Sequence, residues 1–349
     1  MKTKRFVPKF DAILFDIDNV LVDTRESYLA AIQKTVEIYL NHPGIVSLKE
    51  IDQFKLLGGF NDDWDCCYGI ITFLQTSIQG KPIRFGDHRR QRLMIAELAE
   101  LFPERPLGMD GLLKHLRISY QIVEEPSFKK IARIFQEVYL GKELFSKVGA
   151  PLVGARKGRA HSVAVPQSRQ GPPLQYWNKP GLIQKEKPIF PKSVLEKIHN
   201  HGVRLGIVTG RNRFEAQYAL QRFGIWNLFD GVVTIDDVRK EEKKTGKLLR
   251  KPHPWPVLEA ANRVQKSVGS TPRGCPEGRH RGLPLRFLYI GDLPDDVWAA
   301  KRAKKQIQIQ SMAFPQFARD PQSTLLELKK LKPDFFLKHP KDLLKIVLG

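Results

Sequence analysis

The chemistry of this chain begins with two aspartates one residue apart. Asp16 and Asp18 follow the apolar run Ala12-Ile-Leu-Phe15, too short for a helix and typical of a strand buried on both faces. An ionised pair at the end of such a strand repels itself and loses hydration, and a divalent cation is the usual remedy. Asp23 and Thr24, just ahead of a helical pattern, read as its N-cap.

Matching parts recur far downstream. Thr209-Gly210 ends the β-branched run Val203 to Val208, and Gly291-Asp292 with Asp296 follows Phe287-Leu-Tyr-Ile290. Between them Lys251 precedes Pro252, a residue able to start a helix. Acids, a hydroxyl beside a glycine amide and a lysine are the parts needed to handle a phosphate and Mg²⁺.

The elements that must position these groups alternate. Strands are expected at 203–208, 231–235 and 286–290, with outer strands at 306–312 and 334–337. Helical periodicity occupies 193–200, 213–223, 254–266, 297–305 and a last stretch from Lys341. That alternation signals a doubly wound α/β fold, a parallel sheet with helices on both faces and ligands at the carboxyl ends of its strands.

The region from Thr24 to about Leu140 reads as wholly helical, with apolar faces in 26–40, 91–102 and 128–140. Within it, the glycines and acids of Gly58-Gly59-Phe60-Asn61-Asp62-Asp63-Trp64 mark a shaped turn and a candidate functional loop. The expected organisation is an α/β core from 1–23 and 187–349, a helical domain over 24–145, a basic Gly/Pro-rich linker or insertion over 146–186 and a second insertion over 267–284.

Bulk properties narrow the class. The 349 residues are 42% hydrophobic, enough for a real core, and no apolar stretch approaches a membrane span. The basic N-terminus lacks the apolar region of a secretory signal. Three cysteines without a C-x-x-C pair favour a reducing, cytoplasmic setting with no zinc site, and Cys66 and Cys67 read as small core residues. The net charge of +21 attracts phosphate-bearing partners from metabolites to nucleic acid, though much of it lies in the two insertions. Tyr176 and Trp177, beside the first, are available for stacking on bases.

Taken in order, Asp16-Ile17-Asp18, Thr209-Gly210, Lys251-Pro252 and Gly291-Asp292 through Asp296 resemble the four motifs of the haloacid-dehalogenase-like (HAD) hydrolase superfamily. The placement of the helical region between the first and second motifs resembles the subfamily with a small helical cap, as in phosphoglycolate-phosphatase-like enzymes. Asn19 departs from the pattern, standing where most relatives have glycine. The resemblance implies a Rossmann-like core with an inserted all-helical cap, and a Mg²⁺-dependent phosphatase acting on a small organic phosphomonoester. Asp16 is then the nucleophile, and Asp18 protonates the leaving group and later activates water. Asp16, the backbone carbonyl of Asp18 and Asp292 hold the metal, with Asp296 behind them. Thr209, Gly210 and Lys251 hold the phosphoryl oxygens. Substrate choice falls to the cap, with Gly59, Asn61, Asp62 and Trp64 as its candidate residues. Arg211 and His253 neighbour the motifs and receive no role. Two alternatives stay open: a phosphomutase of the same superfamily, and a basic nucleic-acid-associated protein on this scaffold.

Overall fold

The computed structural model describes residues 8–57, 60, 62–78, 81–82, 108–119, 121–122, 125–148, 173–270, 284–318 and 320–349. The expected helix at 91–102 and the bulk of both basic insertions lie outside them. The chain divides into two compact units, Met1–Arg25 with Glu186–Gly349, and Glu26–Lys185.

In chain order the strands are β1 (Ala12–Phe15), β2 (Val22–Asp23), β3 (Thr76–Ile78), β4 (Lys81–Pro82), β5 (Gln121–Ile122), β6 (Lys187–Pro188), β7 (Arg204–Val208), β8 (Gly231–Val233), β9 (Phe287–Gly291), β10 (Ile309–Ala313) and β11 (Phe335–Phe336). In the first unit six of them form one sheet in the order β11-β10-β9-β1-β7-β8, and every pairing is parallel. Strand alternation divides the core between the two faces. Ile13, Phe15, Leu205, Ile207, Leu288 and Ile290 pack on one side, with residues of helices Lys192–Asn200, Arg213–Arg222 and Asp342–Leu348. Ala12, Leu14, Val208, Phe287 and Tyr289 pack on the other, with residues of Trp255–Ser270 and Pro294–Ala303. This is the doubly wound α/β fold that the alternation predicts. β1 lies between β7 and β9, so three motif-bearing strands are neighbours.

Beyond β1 the chain makes a tight loop. The amides of Leu21 and Val22 both donate to the Ile17 carbonyl at 2.9 Å, and β2 then pairs antiparallel with β6. That pairing corrects the expected cap. Asp23 is held by Arg25 at 2.7 Å and Thr24 donates to Asn19 Oδ1 at 3.0 Å, so neither caps a helix, and the next one starts at Tyr28 behind Ser27.

The second unit is helical in its body, with Tyr28–Leu40, Leu48–Leu56, Asp63–Leu74, Gly108–Ser119 and Phe128–Val148. It also carries a three-stranded antiparallel sheet, β4-β3-β5, beyond the all-helical expectation. Strands of two and three residues are too short to show a period of their own.

The expected linker over 146–186 is also shorter than its composition suggests. Residues 173–185 are part of the second unit, and Leu182 and Ile183 are buried there. The anchor is Glu137, whose fully buried carboxylate takes backbone N–H bonds from Gln175, Tyr176 and Trp177 at 2.7–3.1 Å and pairs with Arg133. Trp177 donates its indole N–H to Pro180 O, so Tyr176 and Trp177 belong to a packed segment. Gly141, at φ +69, lies against Gly181, where a Cβ would come within 2.0 Å of the Gly181 nitrogen. No described helix is long and apolar enough to cross a membrane.

Removing a buried carboxylate leaves its cation and amides unpaired, at a cost of about 3–5 kcal/mol. Glu137→Ala is expected to destabilise the second unit by that order. In hydrogen exchange, the amides of residues 175–177 lose protection while β1, β7 and β9 keep theirs.

Candidate active site

The carboxyl ends of β1 and β9 carry Asp16 and Asp292, and that of β7 carries Thr209-Gly210. The amide of Asp16 continues the ladder to the Ile290 carbonyl at 2.9 Å, and its Oδ1 accepts from the Ile17 amide at 2.8 Å. Asp292 follows β9 at once. Asp296 lies in the first turn of Pro294–Ala303, where its Oδ2 accepts from the Leu293 amide at 3.1 Å. Gly291 permits this return of the chain, since a Cβ there would lie 2.2 Å from that of Asp296.

Asp16, Asp292 and Asp296 are all buried, and one carboxylate oxygen of each lies within 4.8 Å of the other two. Lys251 reaches the cluster from the turn before Trp255–Ser270, with Nζ 3.1 Å from Asp16 Oδ2 and 2.7 Å from Asp296 Oδ1. Pro252 does not start that helix; it follows a cis peptide bond in the turn.

Electrostatics follow from this packing. Burial pushes the Asp16 carboxyl up to about 7, against Lys251 and with help from Asp296 and Asp18. Burial, Asp296 and Asp16 raise that of Asp292 as well. Burial disfavours the Lys251 ammonium, yet Asp16 and Asp296 hold its pKa well above the ordinary value. Among the described residues, one lysine faces three carboxylates. Among the described residues, Asp292 Oδ1 is buried with no hydrogen-bond partner. An orphaned acceptor in an acidic cluster is what a divalent oxygen-seeking cation would complete, so the donor set fits a divalent metal ion.

Asn19 explains its own departure from the family pattern. It adopts φ +54, a left-handed conformation that glycine enters freely and asparagine tolerates. Its side chain adds what glycine lacks, a donor 3.3 Å from Asp292 Oδ2, while its Oδ1 accepts from Thr24.

Asp18 stands apart from the carboxylate cluster. Its Oδ1 accepts from Arg211 Nε at 2.8 Å and Nη2 at 2.7 Å. Thr209 is buried, and its Oγ1 accepts from the Arg211 amide at 3.1 Å. Around Gly210 a Cβ would meet nothing within 4 Å among the described residues. The geometry thus gathers Asp16, Asp292, Asp296 and Lys251 tightly, with both Asp296 oxygens taken up by Lys251, Tyr289 and the Leu293 amide.

Two members lack a sequence signal. Tyr289 points to the same place from within β9, its hydroxyl donating to Asp296 Oδ1 at 2.7 Å and lying 3.4 Å from Lys251 Nζ. Arg211 carried only its position next to Thr209-Gly210. His253 caps locally, accepting from the Trp255 amide at 3.1 Å.

The candidate specificity residues fall in the second unit. Gly59 and Asn61 lie outside the described residues. Asp62 caps helix Asp63–Leu74 through Oδ1, and Trp64 meets Phe128 edge-on with centroids 6.3 Å apart. Cys66 and Cys67 are free and buried.

The comparisons agree with the geometry. Residues 10–304 match the haloacid dehalogenase-like hydrolase family, and the chain belongs to that family. It is 28% identical over 153 residues to pyrophosphatase PpaX of Oceanobacillus iheyensis, covering 44% of this chain and 56% of that protein. It is 30% identical over 165 residues to pyrophosphatase PpaX of Bacillus velezensis, covering 47% and 60%. The match thus spans less than two thirds of the length of either relative. Among solved structures, phosphatase Tt82 from Thermococcus thioreducens shares the fold, with a TM-score of 0.54 and 22% identity over 91% of this chain and 98% of that one.

Burial disfavours the charged form of Asp292, so in the absence of metal Asp292→Asn is expected to raise the melting temperature at pH 8, worth on the order of 1–3 kcal/mol. A carboxyl whose folded pKa is raised loses its penalty as acid neutralises it. The gain therefore shrinks as pH falls towards the ordinary value of 3.8. Excess Mg²⁺ reverses the order, raising the melting temperature of the native chain and not that of the variant. Differential scanning calorimetry reads both effects.

Proposed function

We propose that this protein is a Mg²⁺-dependent phosphatase that hydrolyses a small organic phosphomonoester through an aspartyl-phosphate on Asp16. The single observation that carries the reading is the convergence of Asp16, Asp292, Asp296 and Lys251 at adjoining strand ends. Family membership and the phosphatase names of its relatives support it.

Asp16 attacks phosphorus in line, and the bond between phosphorus and the leaving oxygen breaks. Asp16, Asp292 and the backbone carbonyl of Asp18, with Asp296 adjoining, would hold Mg²⁺, which would supply charge neutralisation between the carboxylate and the phosphoryl dianion. Asp16 Oδ1 is fixed by the Ile17 amide, which leaves Oδ2, on the Lys251 side, to meet phosphorus. Lys251, held by Asp296 and Tyr289, lends positive charge to the phosphoryl oxygens, which Thr209 and the Gly210 amide bind as donors. Asp18 donates the proton that the departing alkoxide needs. It then takes one from the water that cleaves the aspartyl-phosphate, which restores Asp16 and releases inorganic phosphate.

The relatives named pyrophosphatase favour pyrophosphate as a second substrate reading. A phosphomutase shares the first half of the mechanism and differs in returning the phosphoryl group to the substrate. We assign leaving-group choice to the loop Gly59 to Trp64. An unchanged substrate profile after Asn61→Ala would remove that assignment.

Assayed against phosphomonoesters and pyrophosphate, the native chain is expected to release phosphate with Mg²⁺ and not with EDTA. Asp16→Asn abolishes turnover, and Lys251→Met lowers kcat by about 10²–10³-fold. Phosphate release that survives Asp16→Asn contradicts the proposal. Isomerised product without free phosphate points to the mutase.

A further inference from the structure

Arg211 has no exposed side-chain surface, and its fork of donors spans two carboxylates. On one side Nε and Nη2 both bond Asp18 Oδ1. On the other, Nη1 meets Glu186 Oε2 at 2.9 Å and Nη2 meets Oε1 at 3.0 Å, and the Glu186 carboxylate is also fully buried. A residue serving the fold alone would need only Glu186, which already gives the guanidinium a two-point partner.

We propose that Arg211 is the positioning residue for the Asp18 acid/base, with Glu186 setting the orientation of Arg211; this rests on the phosphatase reading. The bonds to Oδ1 stop rotation of a side chain that is 31% exposed, and they leave Oδ2 as the oxygen that exchanges a proton with the leaving group. The same residue bonds Thr209 Oγ1 through its own amide, so the phosphate-binding loop and the acid are held as one piece. Glu186 is itself anchored. Arg222 donates to its carbonyl, and β6 begins at the next residue and pairs with β2 beyond the Asp18 loop.

An alkyl ester needs its leaving oxygen protonated, whereas 4-nitrophenolate leaves without help. The positioning role therefore predicts a loss that depends on leaving group in kcat/KM, the parameter that reports ester cleavage. In the full chain with Mg²⁺, Arg211→Gln is expected to lower kcat/KM for an alkyl phosphate at least about 10-fold more than for 4-nitrophenyl phosphate. Asp18→Asn shows the same selectivity, and the double variant is no worse than Asp18→Asn alone, because Arg211 acts through that carboxylate.

Equal losses on the two esters, or losses that add in the double variant, overturn the assignment. Where Arg211→Gln does not fold, Arg211→Lys, which keeps the charge but loses the fork, is read the same way. Failure of both to fold marks Arg211 as a scaffold residue and also overturns it. If the native chain cleaves neither ester, the phosphatase reading falls and this assignment with it. A native chain active on both with no leaving-group selectivity in the variants sinks only the role of Arg211.

Discussion

The structure of this protein turns on repulsion. Three carboxylates that ought to avoid one another, those of Asp16, Asp292 and Asp296, are buried together within 4.8 Å. Burial alone would drive them towards the neutral form, and the raised carboxyls of Asp16 and Asp292 record that pressure. A fold that maintains such a cluster needs rigid supports and a compensating charge. The supports are the adjoining parallel strands β1 and β9, whose ladder extends to the Asp16 amide. Among the described residues that charge comes from Lys251, and three carboxylates facing one lysine are the physical case for a divalent ion.

The remaining polar groups of the core unit follow from that arrangement. Tyr289, fully buried, ties Asp296 to the lysine, and the absence of a Cβ at Gly291 lets Asp296 come close enough to matter. Asn19 turns through a left-handed conformation and leaves its amide on Asp292. Asp18 is kept apart, on a different cation, so the two aspartates of the opening motif stand in distinct electrostatic surroundings. Division of labour between a nucleophile and an acid requires such a difference.

Much of the core was legible in the sequence, because its strands are apolar runs that end abruptly in acid, hydroxyl or glycine. Asp16, Thr209 and Asp292 could be picked out on that basis, Lys251 by the proline after it and Asp296 by its place close behind Gly291-Asp292, and their order carried the family resemblance. Other features leave no local trace. The bond from Arg211 to Asp18 joins residues 193 apart in sequence, and no periodicity encodes it. Glu137 reads as one more charge on a helix until its three amide donors, 38–40 residues on, are seen. Composition misled at 173–185, where Pro, Gly and Gln suggested a linker but a few buried contacts hold the segment to the second unit. Asp23 and Thr24 look like caps, and strand pairing with β6 takes that stretch of chain first.

The claim on which all of this rests is that acids from two separate strands serve one cation. A crystal structure of the full chain grown with Mg²⁺ addresses it directly. The account predicts a single six-coordinate ion with oxygens of both Asp16 and Asp292 at about 2.1 Å. An ion bound elsewhere, or one that leaves Asp292 Oδ1 without a partner, would contradict it.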